Sequence, residues 1–383
     1  MKIVLKTFYG LEDVLADELK ELGFPDSTKL NRAVQIEGEW EDVYFLNLHV
    51  RCAISVLVEL RKFQLKTEKD LYTEAKKINW SSLFNVKKTF AVKGAIHSTL
   101  FNHSQFPFLL IKDAIVDHFR DVKGERPDIN VKTPQIVVDL YVRENEGVIS
   151  INTSGLPLFQ RGYRQSTGDA PLNEVVAAAL LRMSEWDKKT TLIDPFCGSG
   201  TILIEAALLA AGIPSNIERT HYAFKNMANF DADLWEEIHS KANKVVKELP
   251  CTLIGGDIDS QMVMKSKRNL RGFSFGRFVE VHNASLDEFP FPEGPAFMIT
   301  NPPYGERLET DVEELYGTLG SIMKHQLLGY SCFVISSSEE GFKYLALKPD
   351  KKYKLFNGDL ECSFRKYSIY EGSKKAEKSE TEA

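Results

Sequence analysis

A chain of 383 residues is long enough for two or three domains, and 43% hydrophobic with 27% charged residues excludes a disordered or fibrous protein. No apolar run reaches the roughly 18–20 residues of a transmembrane helix, which excludes a helical membrane span. The net charge of −6 lends no support to non-specific nucleic-acid binding, so a nucleic-acid partner would need a local basic patch.

The chain opens on a predicted strand, Ile3 to Phe8, without the apolar core and small-residue cleavage site of a signal peptide. Leu11, Val14, Leu15, Leu19 and Leu22 then recur at helical spacing, and Gly23 ends that helix. Ala33 to Glu37 reads as a strand, Glu41 to Leu48 as a helix and Ile54 to Leu60 as a strand, an order that suits a small α+β unit. A second unit follows. It has a helix from Asp70 to Ile78, a strand from Thr89 to His97 and an amphipathic helix from Phe108 to Phe119. Strands from Gln135 to Arg143 and Gly147 to Asn152 close it as a hairpin. Lys66, Lys69, Lys76, Lys77, Lys87, Lys88 and Lys93 face only Glu68, Asp70 and Glu74 here. That run is a candidate RNA patch, and a solvated lysine-rich face accounts for it equally. His97 and His103 have no cysteine or carboxylate at metal-ligand spacing and read as structural or surface residues.

Gly155, Pro157, Gly162, Gly168 and Pro171 punctuate a linker. Arg161, Tyr163 and Arg164 within it could meet phosphate and base, or could pack on a neighbouring domain. Beyond it strands and helices alternate, the pattern of a parallel sheet with crossovers. Helices are expected from Leu172, Thr201, Ser260 and Glu313, and strands at 191–193, 252–254, 278–282, 296–300 and 332–335. Asn357-Gly358 between two apolar runs predicts a closing antiparallel hairpin. The five cysteines are widely spaced without a Cys-x-x-Cys, which points to a reducing cytoplasm and away from a disulfide framework or zinc site.

Four motifs follow successive predicted strands, and the C-terminal ends of parallel strands are where doubly wound folds bind ligands. The first is Asp194-Pro195-Phe196-Cys197-Gly198-Ser199-Gly200-Thr201. Its glycines allow close backbone approach, and the helix start offers free N–H groups. It has no Gly-Lys-Ser/Thr, and Leu203 stands where a dinucleotide fingerprint has its third glycine. A cofactor without phosphates therefore fits better than ATP or NAD. The second is Gly255-Gly256-Asp257-Ile258-Asp259, in which Asp257 suits a ribose diol and Asp259 a helix N-cap. The third is Asn283-Ala284, placed to reach an adenine amino group. The fourth is Asn301-Pro302-Pro303-Tyr304: an amide acceptor, backbone carbonyls beside two prolines and an aromatic ring, which together suit a planar base bearing an amine.

Together these residues resemble a class I S-adenosylmethionine (SAM)-dependent amino-methyltransferase. Asn-Pro-Pro-Tyr-Gly-Glu-Arg-Leu at 301–308, Arg161-Gly162-Tyr163-Arg164, Ala170-Pro171-Leu172-Asn173-Glu174 and Lys112-Asp113-Ala114-Ile115 narrow the resemblance. It is to THUMP-domain RNA methyltransferases, close to the matching part of bacterial 23S ribosomal RNA guanine-N2 methyltransferases. The resemblance implies a ferredoxin-like unit at 1–43, a THUMP RNA-binding domain at 44–155, a linker at 156–170, a Rossmann-like methyltransferase domain at 171–371 and a disordered tail at 372–383. It implies SAM as cofactor, held by Asp194, Pro195, Gly198, Ser199, Gly200, Thr201, Asp257, Ile258, Asn283 and Ala284. Asn301, Pro302, Pro303 and Tyr304 would be catalytic and Arg161 and Arg164 would bind the RNA, most simply 23S ribosomal RNA, in the cytoplasm without metal or membrane. Asn283 departs from the family, which commonly has an acidic residue there. Adenine-N6 methylation of RNA or DNA, and an inactive RNA-binding or ribosome-assembly factor, remain the alternatives.

Overall fold

The computed structural model describes residues 1–103, 105–164, 172–243, 245–303, 312–358 and 360–370. The chain divides into two compact units. The first holds Met1–Phe8, Leu15–Gly162 and Asn216–Asn243; the second holds Tyr9–Val14, Tyr163–Ser215 and the described residues after Asn243.

The first unit is built on one sheet of seven strands: β1 (Lys2–Lys6), β2 (Ser27–Leu30), β3 (Ala33–Glu37), β4 (Ser55–Gln64), β5 (Phe90–His97), β6 (Ile136–Arg143) and β7 (Glu146–Asn152), in the order β2-β3-β1-β4-β7-β6-β5. The sequence suggests two separate small units here, and a single strand joins them. β4 is ten residues long; its first half pairs with β1 (Ile3 opposite Val58) and nearly its whole length pairs with β7 (Leu57 opposite Asn152, Gln64 opposite Glu146). The register shifts between Glu59 and Arg61, a bulge that bends the strand between its two partners. β5 and β6 are parallel, so a crossover must connect them, and the helix Phe106–Lys123 supplies it. Pro107 opens that helix, Ile111, Ala114, Ile115 and Phe119 form its buried face, and Gly124 ends it at φ 71°.

Residues 216–243 lie inside the α/β half of the sequence but fold into the first unit. Phe224 and Trp235 pack with Tyr44 into an aromatic cluster, at 4.8 Å from Phe224 to Tyr44 and 5.1 Å from Phe224 to Trp235. All three rings are buried. Arg219 beside them donates from its guanidinium to the carbonyls of Ser154, Leu156, Pro157, Gln160 and His221. Burial pushes its pKa down to about 10, so it keeps its charge at neutral pH.

The second unit carries the other sheet: β8 (Leu192–Asp194), β9 (Leu253–Asp257), β10 (Val279–Asn283), β11 (Phe297–Thr300), β12 (Ser331–Ser336), β13 (Lys351–Asn357) and β14 (Leu360–Ser368), in the order β10-β9-β8-β11-β12-β14-β13. Five strands are parallel and the last two antiparallel, with Gly358 at φ 67° in the expected hairpin turn. The helix after β8, Thr201–Ala210, is apolar apart from Thr201 and Glu205 and is buried from Thr201 to Leu208. Strand order reverses between β8 and β11, which opens a crevice at their C-terminal ends. None of the described helices is long and apolar enough to cross a membrane.

The aromatic cluster yields a test. A fragment of residues 1–162 is expected to be less stable, by about 3 kcal/mol or more, than the same fragment carrying residues 216–243 on a flexible linker, because Tyr44 loses Phe224, Phe230 and Trp235 and the carbonyls of Ser154, Leu156, Pro157 and Gln160 lose Arg219. Urea unfolding of the two fragments checks this; equal midpoints would overturn it.

Candidate active site

β8 ends at Asp194, and its carboxyl is buried at 1% exposure. Asp194 Oδ1 accepts a 2.7 Å bond from the Thr300 hydroxyl and a 3.2 Å bond from the Phe196 N–H. Thr300 is the last residue of β11, immediately before Asn301. One carboxyl therefore ties the glycine loop to the Asn-Pro-Pro loop across the crevice. Burial is the main cause that lifts the Asp194 pKa to about 7, the Asp257 charge adding to it.

Beyond Asp194 the chain turns through Gly198 at φ 54° and Gly200 at φ 84°, both in the left-handed region that favours glycine. A side chain on Gly200 would also meet Ser266 Oγ at 2.4 Å. Gly200 is the N-cap residue of Thr201–Ala210, so the first N–H groups of that helix face the loop. The loop is fixed from three sides. Cys197 N–H donates to Gly256 O at 2.8 Å, Gly198 N–H to Asp257 Oδ2 at 3.0 Å, and Asn269 Nδ2 to Ser199 O at 3.1 Å. The Cys197 thiol is buried, and that burial together with Asp194 and Asp257 pushes its pKa well up. A thiol held protonated is a poor nucleophile.

β9 runs further than the sequence suggests, through Gly255 and Gly256 to Asp257. The two glycines belong to the strand because its faces are crowded. A Cβ on Gly255 would stand 2.3 Å from Leu203 Cδ1, and one on Gly256 2.6 Å from Phe289 Cδ2. Asp257 Oδ2 accepts from Gly198 and Oδ1 from the Asp259 N–H at 2.9 Å. Asp259 caps the next helix through the Gln261 N–H at 2.8 Å. Desolvation lifts the Asp257 pKa, while the two backbone N–H groups oppose that shift. Ile258 beside it is 76% exposed.

Asn283 ends β10 and sits directly opposite Asp257 in the register. Its amide donates to Asp257 O at 3.0 Å and Ile258 O at 2.9 Å, and Ala284 N–H donates to Asp257 O at 3.2 Å. Asn283 thus clamps the turn after β9, a role that an acidic residue without N–H donors could not perform.

Asn301 follows β11, with Pro302 buried and Pro303 partly buried. Its side-chain oxygen is buried and has no hydrogen-bond partner among the described residues. Tyr304 and the rest of Tyr-Gly-Glu-Arg-Leu, Ala170, Pro171 and the tail lie outside the described residues.

The two arginines are placed differently from the sequence expectation. Arg161 is 1% exposed and donates to Arg51 O at 2.6 Å, Leu158 O at 3.1 Å and Asn216 Oδ1 at 3.3 Å. A guanidinium buried on carbonyls does not reach a phosphate in solvent, so the expected RNA contact at Arg161 is corrected to a packing role. Arg164 pairs with Glu174 and donates to Leu172 O and Thr201 Oγ1, both at 2.9 Å, and to Ser199 Oγ at 3.3 Å. These bonds brace the glycine loop. Tyr163 is buried with its hydroxyl on Glu205 at 3.1 Å. Thr300, Asn269 and Arg164 are the residues whose roles sequence reasoning missed. Only Thr300 carried a signal, as a hydroxyl ending an apolar strand.

A glycine turn, an acidic strand end and an Asn-Pro-Pro loop on adjacent parallel strands define a class I methyltransferase domain. Residues 161–366 match the RMKL-like methyltransferase domain, residues 66–152 the THUMP domain and residues 2–57 the RlmL ferredoxin-like domain. The chain belongs to the RMKL-like methyltransferase family, with a THUMP and a ferredoxin-like domain before the catalytic one. A protein of Shewanella frigidimarina named ribosomal RNA large subunit methyltransferase K/L is 38% identical over 95% of this chain and 52% of its own length. The chain spans about half the length of the curated relatives it matches. Among solved structures, a methyltransferase complexed with SAH (S-adenosylhomocysteine) is 26% identical with a TM-score of 0.84, over 97% of this chain and 99% of that one. A protein of Listeria monocytogenes described as a predicted N6-adenine-specific DNA methylase is 26% identical with a TM-score of 0.85, over 96% of each chain.

Asp194 gives a pH test. Its folded pKa of about 7 lies above the ordinary 3.8, so the folded state holds a proton that the unfolded state has released. Its contribution is full below pH 3.8 and is lost as pH rises through about 7. Asp194→Asn should therefore gain stability relative to the parent between these limits, by at most about 1.4 kcal/mol per pH unit, and level off above them. Urea unfolding of both proteins at pH 5, 6, 7 and 8 (roughly the window set by the shift) checks it; a constant difference would overturn the assignment.

Proposed function

We propose that this protein transfers a methyl group from SAM to the exocyclic amine of an RNA base, N2 of a guanine in large-subunit ribosomal RNA. The single observation that carries the chemistry is the buried Asn301 side-chain oxygen, which has no hydrogen-bond partner among the described residues. Leaving a buried acceptor unpaired costs about 1–3 kcal/mol, a cost offset when a donor arrives with the substrate. An exocyclic amine brings two N–H donors. Asn301 Oδ1 takes one and the Pro302 carbonyl beside it the other. Two fixed acceptors turn the lone pair out of conjugation with the ring and stabilise the positive charge that develops on nitrogen.

The residues present fit the cofactor. The space beside Gly198 is open, no atom lying within 4 Å of where a Cβ would stand. Asp257 holds carboxylate oxygens at the strand end, oriented by two backbone N–H groups. The donor set at this edge suits a ribose, an adenine and an amino acid: Asp257 for the ribose diol, Asn283 with Ile258 and Ala284 for the adenine, and the Gly198–Thr201 turn with Asp194 and Pro195 for the amino-acid end. When bound, SAM supplies an electrophilic methyl group on a sulfonium centre, an excellent leaving group. Tyr304 would stack on the base, and a paired target would be flipped from its helix.

The choice of RNA rests on the THUMP domain and on the names of the curated relatives. The Asn-Pro-Pro acceptors serve guanine N2 and adenine N6 alike, so nucleoside analysis separates them. Deletion of the gene should remove one N2-methylguanosine from ribosomal RNA, read by mass spectrometry of digested RNA. Loss of an N6-methyladenosine, or of nothing, would overturn the guanine assignment. In the purified protein, Asn301→Ala should lower kcat at least about 100-fold while SAM affinity by calorimetry stays within a few-fold. Near-normal turnover would remove Asn301 from the chemistry.

A further inference from the structure

The segment Ser260–Val279 holds Lys265, Lys267, Arg268, Arg271 and Arg277 and no carboxylate, in a chain of net charge −6. Three of these cations line one cleft of about 430 Å³, together with Ser274, Phe273 and Leu270. The cleft lies where the helix Ser260–Leu270 ends and β10 begins, at the opposite end of that helix from Asp259 and the cofactor edge. A helix rise of 1.5 Å per residue puts Lys267 about 12 Å along the axis from Asp259.

The cleft is rigidly built. A Cβ on Gly276 would stand 2.1 Å from Leu270 O, so the turn Gly276–Phe278 is pressed against the end of the helix and only glycine fits there. Phe273 is stacked on the fully buried Phe275, with centroids 4.6 Å apart. The Arg277 guanidinium lies 4.7 Å from the Phe278 ring centroid, which holds it at the rim. Lys267, Arg271 and Arg277 are exposed, and no ion pair joins them to a carboxylate among the described residues. The next carboxylate in sequence, Glu280, is 3.4 Å from His282.

A helix C-terminus attracts cations, but its macrodipole amounts to about half a charge. That explains Lys267 and Arg268 in the last turn. It does not explain Arg277, which lies outside the helix and still converges on the same cleft.

We infer that this cleft is a second RNA contact: it docks the phosphate backbone of the substrate RNA away from the reacting base. Three cations over a floor of Leu270, Phe273 and Val279 suit a run of phosphates better than a single small anion, and their docking reads no base sequence. This rests on the reading that the substrate is RNA. It also explains how a chain of net negative charge would hold a polyanion, since the attraction is local.

The test is the triple charge reversal Lys267→Glu, Arg271→Glu, Arg277→Glu, with the corresponding triple glutamine variant beside it. Binding of a labelled single-stranded RNA and of a large-subunit ribosomal RNA transcript is measured by anisotropy across a salt series. The glutamate variant should bind at least about 10-fold more weakly at low salt, and the slope of log K against log salt should fall by about two. The glutamine variant should lie between it and the parent. SAM affinity and kcat at saturating RNA should be unchanged in both, because none of the three side chains belongs to the site. Parental affinity and slope in both variants would overturn the inference. Reduced RNA binding in the variants, with a parent that methylates no RNA, would support the cleft and overturn the proposed reaction instead.

Discussion

The site depends on one buried hydrogen bond, from the Thr300 hydroxyl to the Asp194 carboxyl at 2.7 Å. It spans the point where strand order reverses, between the ends of β8 and β11. Each strand end leads directly into a loop of the candidate site, the glycine turn on one side and Asn301 on the other. Asp194 also accepts from the Phe196 N–H, so the start of the glycine turn and the residue before Asn301 are held by the same oxygen, Oδ1. In an interior of low dielectric such a bond is strong when made and costly when broken. The relative height of the two loops is set there.

Most of the described polar groups at this edge are satisfied within the protein, and the Asn301 side-chain oxygen is not. Asp257 has both oxygens on backbone N–H groups, Asn283 has its amide on two carbonyls, and Arg164 is spent on Glu174, Ser199, Thr201 and Leu172. These bonds rigidify the cofactor edge. Asn301 Oδ1 differs, as a buried acceptor that the described residues leave open. Preorganised acceptors of this kind act on a developing charge without having to reorganise, which makes them effective in catalysis. A protonated Cys197 beneath the loop adds bulk and no nucleophile.

Charge is distributed unevenly. The lysine run of the first unit is partly neutralised: Lys76 pairs with Asp121 and Lys77 with Glu74. The cleft formed by Lys267, Arg271 and Arg277 has no such neutralisation among the described residues. Composition averages over both, which is why net charge says little about where an anion would bind.

The sequence by itself determined the strand and helix order of the α/β unit, the closing hairpin and the four motifs at its strand ends. It could do so because each signal is local: apolar runs of fixed length, glycine and proline punctuation, and Asn-Gly at a turn. It also settled Asp259 as an N-cap, a role set by the residues that follow it. It did not reveal that β4 joins two small units into one sheet, nor that residues 216–243 leave the α/β half to cover Tyr44, because both depend on pairings between distant segments. It placed Arg161 and Arg164 with the substrate, since a buried and an exposed arginine look alike in sequence. Only the tertiary structure could show which donors were already taken. The same limit applied to Thr300 and to Asn301. A hydroxyl becomes a link between loops, and an amide becomes an open acceptor, only once the distant groups around them are in place.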